Sequence, residues 1–529
     1  MILAKKQADQ YNLISNQHNY YKQEEQIMIK KGYEIQLNVR PIYVGLQHKY
    51  FFEGPCRMDK SENLTPEADA IINAQFSQGF FKLAKNRLEN EKGINLMEPI
   101  YAERDCYFLT KEEFFDEVMK DHDKVDLFLV GCHIARGDLI VELAQRTGKP
   151  ILIGPETPGS TTRYVSAMRA RGYEAYGAFS WEDGIKRMHA LRLRKVIAHT
   201  HILQAVRHDS TSEITNNSFI SPNEVTLKLG TKFRGISLHE LLDQSVPGDS
   251  MNNHCTPGRK GENPTEEDMK EIRRITDELC AGACEVGMEK DKVEKSVRMW
   301  YTVQKFLDLY DCNAFVMPCP DFCATCRAMK ENQTPCFTHS LNNELGIPSS
   351  CEFDPIATLS MQLLESASGC AAYMGEVNPI EYSSITDAGE ALDKIKDHSN
   401  LMTIFHSVGN RKMHGFDKPN SEYGIEPFAY SGWGATMRYD FSQDVGQEIT
   451  MCRFSPDCKK LFIAKGVVEG GARYLDKNCS LTMVFRVKDS KDYYYKQLNF
   501  GSHIPLTYGD YTEELKMFAE SVGLEPIMA

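Results

Sequence analysis

An α/β fold, with parallel-sheet units followed by a mostly antiparallel β unit, is predicted by three features of the sequence. Apolar runs of strand length alternate with amphipathic helical stretches through much of the chain, the pattern that builds parallel sheets with crossover helices. After about residue 378 short β-rich segments are separated by turn residues with little helix between them. A length of 529 residues also exceeds what one hydrophobic core serves, so several domains are expected.

Residues 1–39 are polar with a helical flavour and precede Arg40–Leu46, which reads as the first strand. Helical periodicity resumes at about 66–90, and Val125–Gly131, Asp138–Thr147 and Gly148–Gly154 then read as strand, helix and parallel strand. A helix over about 181–194 leads into Lys195–His199, read as the strand that opens a second series. Glu224–Leu229 and Gly235–Ser237 flank a helical Leu238–Gln244, and Ser245–Pro264, rich in Gly, Pro, Asn and Ser, reads as a surface loop. Helices over about 265–287 and 291–310 deliver the chain to the strand Ala314–Met317. Two Rossmann-like parallel-sheet domains are therefore expected over 1–194 and 195–365. In the third domain, 366–529, the strands are Glu448–Phe454, Lys460–Val468, Ser480–Val487 and Tyr493–Leu498, closed by the helix Thr512–Val522.

Composition narrows the function. With 42% apolar and 26% charged residues the chain is an ordinary soluble globular protein. Its 74 acidic against 61 basic residues give a net charge of -13, which argues against nucleic acid or an anionic membrane and for a small-molecule partner. There is no N-terminal apolar h-region and no 18-residue apolar run, so a cytoplasmic location is expected. The 16 cysteines form no compact disulfide framework. Most should be reduced, small and buried.

Chemistry concentrates at three predicted strand ends. Asp354 followed by Pro355 is an N-cap with proline at the first helical position, so Glu352 sits on the short loop entering that helix. Gly369–Glu376 reads as a buried strand whose last residue is Glu376, and Leu401–Asn410 runs from apolar strand into a glycine-containing loop with His406 at its tip. Carboxylates and imidazoles gathered at strand ends suggest a divalent-metal site. A donor set without thiolate favours manganese, magnesium or iron over structural zinc.

These motifs resemble the L-fucose isomerase and L-arabinose isomerase family over most of residues 290–529. Cys351-Glu352-Phe353-Asp354 is similar to its Cys-Glu-Gly-Asp segment, Glu376 follows at its second carboxylate position, and Gly501–Tyr511 resembles its Asn-His…Tyr-Gly-Asp-Tyr segment. Gly466–Arg473 and the Thr450…Arg453 pair also look familial. The resemblance implies an aldose–ketose isomerase in which Glu352, Glu376 and His503 bind Mn2+ and the two glutamates serve as acid and base. It further implies His406 as a metal or substrate contact, and Asp321, Ser502 and His133 as substrate contacts; Trp433, in Ser431–Gly434, is by its own chemistry a candidate sugar-stacking aromatic. His133 would reach a neighbouring subunit's site in a homo-oligomer, a trimer or hexamer. Phe353 in place of Gly and Ser502 in place of Asn depart from the family, and both residues are expected near substrate.

Two rival classes remain open at this level. Cys319, Cys323 and Cys326 spell C-x3-C-x2-C after a strand, the spacing by which radical S-adenosylmethionine enzymes hold an Fe–S cluster. A non-catalytic sugar-binding protein of the same fold is the other.

Overall fold

The computed structural model describes residues 31–47, 66–105, 111–133, 137–155, 158–206, 217–248, 261–324, 327–381, 388–430, 432–471 and 479–529. Most of the polar N-terminal stretch and the middle of Ser245–Pro264 lie outside them.

The first sheet is parallel and built from Leu37–Gln47 (β1), Ile94–Leu96 (β2), Ile100–Asp105 (β3), Leu127–His133 (β4), Ile151–Ile153 (β5) and Ala175–Gly177 (β6). Both faces of its central strands are buried, and the long apolar run of β4 reflects that. The second sheet is also parallel: His201–Val206 (β7) and Lys232–Ser237 (β8) are joined, after Glu285–Val286 (β9) has left for a small separate sheet, by Ala314–Val316 (β10) and Ser349–Ser350 (β11).

The C-terminal sheet is mostly antiparallel. Glu376–Pro379 (β12) and Leu401–His406 (β13) belong to it, Gly424–Pro427 (β14) and Ala435–Arg438 (β15) pair with β9, and the sheet continues with Glu448–Phe454 (β16), Lys460–Gly471 (β17), Leu481–Val487 (β18), Leu506–Tyr508 (β19) and Glu525–Met528 (β20). Its order runs β12, β13, β18, β17, β16, β19. Two bridges, Tyr373 with Leu506 and Glu376 with His503, then tie the first edge back to the last. The sheet thus closes on itself between β12 and β19, which covers the two edges an open sheet would leave there, while β20 pairs alongside β17. Gly375 lies on this seam, where a Cβ would stand 2.5 Å from the Phe405 carbonyl oxygen, so the close approach excludes a side chain.

Three expected elements are corrected. Lys195–His199 is no strand: the helix Trp181–Ala198 runs through most of it, capped by Ser180, and the strand begins at His201. Tyr493–Leu498 belongs to the helix Ser490–Gln497, capped by Asp489, with Tyr493 and Gln497 buried one turn apart. Short apolar or aromatic runs carry too few residues to separate a period of 2 from one of 3.6. Glu376 opens β12 rather than ending a strand.

One hydrophobic cluster runs from Ala190 and Leu193 on Trp181–Ala198, through Ile356 to Leu364 on the helix Pro355–Ser368, to Phe485 and Leu515. It crosses both expected domain boundaries, 194/195 and 365/366, and we keep that three-domain division only as a proposal. The helix Pro355–Ser368 is buried on nearly every side, so the Glu352 loop that feeds it is anchored in the deepest part of the molecule.

Candidate metal centre

Glu352 follows β11 in a strained loop. Its φ is 56° and that of Phe353 is 50°, a left-handed conformation that costs a residue bearing Cβ roughly 1–2 kcal/mol. The loop is held from several sides: Phe353 N–H donates to the Met317 carbonyl at 3.1 Å and Ser350 Oγ donates to the Asp354 carbonyl at 2.7 Å. Phe353 is fully buried in the core. Glycine at this position in the resembled segment has a physical reason, since glycine adopts positive φ without strain.

His406 ends β13 and His503 lies on the seam opposite Glu376. One ligand atom from each of Glu352, His406 and His503 lies within 4.8 Å of the others. His406 Nε2 stands 3.7 Å from Glu352 Oε1, and His503 Nε2 stands 3.4 Å from Glu352 Oε2. The interaction with His406 lowers the Glu352 carboxyl below its ordinary range; burial opposes this, and His503 reinforces it.

The hydrogen bonds distinguish the two imidazoles. His503 Nδ1 is 2.9 Å from Asp354 Oδ2; donating its proton there leaves the Nε2 lone pair turned toward Glu352. That Nε2 is buried and has no hydrogen-bond partner. A lone pair facing a carboxylate oxygen in a buried site is repulsive unless a proton or a metal cation lies between them. Ligands each about 2.1 Å from one cation at roughly 90–110° stand about 3.0–3.5 Å apart, so the 3.4 Å separation fits a divalent metal. His406 instead accepts the Ser407 N–H at Nδ1, 2.9 Å away. In that tautomer its protonated Nε2 lies 3.1 Å from Cys351 Sγ and 3.7 Å from Glu352 Oε1.

Asp354 does more than cap its helix. One oxygen accepts the Ala357 N–H at 2.7 Å, and the other accepts from His503 and from Arg453 Nη1 at 2.9 Å. Arg453 also donates to the Phe500 carbonyl at 2.6 Å and the His503 carbonyl at 2.8 Å. Both charged groups are buried. A carboxylate behind a histidine fixes its tautomer and raises its basicity toward a metal. Asp354 and Arg453 are the residues packed behind this candidate site that the sequence pattern least indicated; the Glu-x-Asp spacing was the available signal.

The remaining expected contacts are placed as follows. Glu376 pairs its backbone with Phe405 and His503, but it does not belong to the close group of three. Trp433 is half-buried, edge-on to Phe428 at 6.0 Å and packed against a core cluster that includes Phe306 and Phe322. Ser502 is exposed, and its carbonyl accepts the Val377 N–H at 2.9 Å. His133 ends β4, and Asp321 and Cys323 lie on the short helix Cys319–Ala324; the side chains of these three, and all of Cys326, lie outside the described residues.

Comparison with known proteins adds a chemical name. Two curated proteins, each called sulfoquinovose isomerase, from Priestia aryabhattai and from Priestia megaterium (strain ATCC 12872 / QMB1551), are 24% identical to this chain over 316 residues. The match covers 58% of this chain and 60% of theirs, so the chain spans less than two thirds of the relatives' length. No family profile matches. Among the described residues no helix is long and apolar enough to cross a membrane.

Proposed function

We propose that the protein is a metal-dependent aldose–ketose isomerase acting on a small sugar. The observation that carries this reading is the buried, unpartnered His503 Nε2 facing Glu352 and backed by Asp354 and Arg453. The isomerase name of the two relatives supports the same chemistry, and among L-fucose-like, D-arabinose-like and C6-modified sugars it favours the last. Glu352 and His503 would hold the ion, and Mn2+ is the ion proposed. When bound, such a cation supplies Lewis acidity toward the oxygens of the sugar.

The chain's own residues do the rest. A low carboxyl pKa keeps Glu352 ionised near neutrality, able to accept a proton from the carbon beside a carbonyl. Glu376, across the seam, is the second carboxylate available to serve the sugar oxygens. His406 orients Glu352, and Asp354 orients His503. The buried surroundings of His406 and His503 limit competing water. We further propose a cytoplasmic homo-oligomer, a trimer or hexamer, with His133 bordering a neighbour's site.

Purified protein should interconvert an aldose and a ketose from a panel that includes a sulfonated hexose, lose activity on chelation and regain it with Mn2+. Product formed in D2O should carry deuterium at the carbon that gains hydrogen. Undiminished turnover by metal-free protein would refute the metal, and a product free of deuterium would refute the proton-transfer role of the glutamates.

A further inference from the structure

We propose that Cys319 and Cys351 form a reversible redox pair whose disulfide disables the Glu352 site. The parallel strands β10 and β11 are neighbours, with Val316 beside Ser350. Cys351 is the first residue past β11, and Cys319 opens the helix that follows β10. Their thiols lie within hydrogen-bonding reach of each other, and both are free. Cys319 is partly exposed and Cys351 fully buried, so an oxidant meets Cys319 first.

With a peroxide as oxidant, the Cys319 thiol takes one oxygen to become a sulfenic acid and releases one water. The Cys351 sulfur then displaces the sulfenic hydroxyl, which leaves with the Cys351 proton as a second water. Two thiols lose two electrons and the peroxide O–O bond gains them. The new S–S bond of about 2.05 Å requires a Cβ–S–S–Cβ angle near 90°. Cys351 Sγ, now 3.1 and 3.4 Å from the two His406 nitrogens, must turn from the imidazole toward Cys319. Because Glu352 and Phe353 already occupy left-handed backbone, the loop has little freedom to absorb the shift and Glu352 is displaced. Cys479 also approaches Cys319 and Glu352, but Cys351 is the thiol in direct contact with Cys319.

The cross-link itself does not depend on the isomerase reading; its effect on turnover rests on it. The test is peroxide treatment of the full chain, trapping of free thiols by alkylation, and non-reducing peptide mass spectrometry beside an isomerisation assay. A peptide joining Cys319 to Cys351, two hydrogens lighter than the separate thiol peptides, should appear as turnover is lost, and dithiothreitol should reverse both. Cys319→Ser should isomerise normally and resist peroxide, while Cys479→Ser should still form the link. Absence of the linked peptide, or Cys319 joined to Cys479 instead, would overturn the proposal. A linked peptide in protein that isomerises nothing before oxidation upholds the redox pair and removes the isomerase reading.

Discussion

Glu352 and Glu376 look alike in sequence, each a carboxylate at the edge of a predicted strand, yet the structure gives them different surroundings. Glu352 sits on left-handed backbone, with two imidazoles near its oxygens and a lowered carboxyl pKa. Glu376 begins a strand in ordinary antiparallel pairing and lies outside the close group. A strained loop persists only where its surroundings over-determine it, and the buried Asp354–Arg453 pair supplies part of that determination behind Glu352. Strain and a charged scaffold surround one carboxylate, whereas the other stands on regularly paired backbone.

The largest expected effect tests this contrast directly. Glu352→Gln and Glu376→Gln should each lower kcat by roughly 10²–10⁴-fold, but only Glu352→Gln should also lose most of its bound Mn2+ by elemental analysis. Equal metal loss in both variants would erase the distinction. Asp354→Asn leaves Arg453 buried without its counter-charge, so urea unfolding should show a loss of about 3–5 kcal/mol. Its Mn2+ affinity, measured by titration, should fall about 10–100-fold because His503 loses the carboxylate that orients it.

Phe353 sharpens the strain argument. Deleting its ring should cost about 3–5 kcal/mol through cavity formation, while glycine would return roughly 1–2 kcal/mol of left-handed strain that alanine keeps. Phe353→Gly should therefore melt no lower than Phe353→Ala, the reverse of the usual order. His406→Ala should reduce turnover less than Glu352→Gln, since His406 Nδ1 already accepts the Ser407 N–H and the ring is proposed to orient Glu352 rather than to bind the ion.

The smallest effect is on pH dependence. Burial works to raise the Asp354 carboxyl, but Arg453 and His503 outweigh it and the pKa is lowered. The unfolded state, with an ordinary pKa of about 3.9, then binds more protons between the two values. Stability from this group is full above about pH 4 and is lost as pH falls through the folded-state value. Urea midpoints measured from about pH 5 downward should fall more steeply for the native chain than for Asp354→Asn, and parallel curves would count against it.

Much was legible without coordinates. The cap at Asp354 and Pro355, His406 at the end of its strand, the strand at Glu448–Phe454 and the helix at Leu238–Gln244 were each readable from local pattern. The physical reason is that caps and burial periods are properties of a few neighbouring residues. Lys195–His199 and Tyr493–Leu498 were misread because their apolar residues serve a helix as well as a strand. Tertiary structure alone decided what meets Glu352. His503 arrives because the bridges at Tyr373 and Glu376 close the sheet, and Arg453 reaches Asp354 across 99 residues of chain. Those meetings depend on the register between distant strands, which no local window of sequence contains.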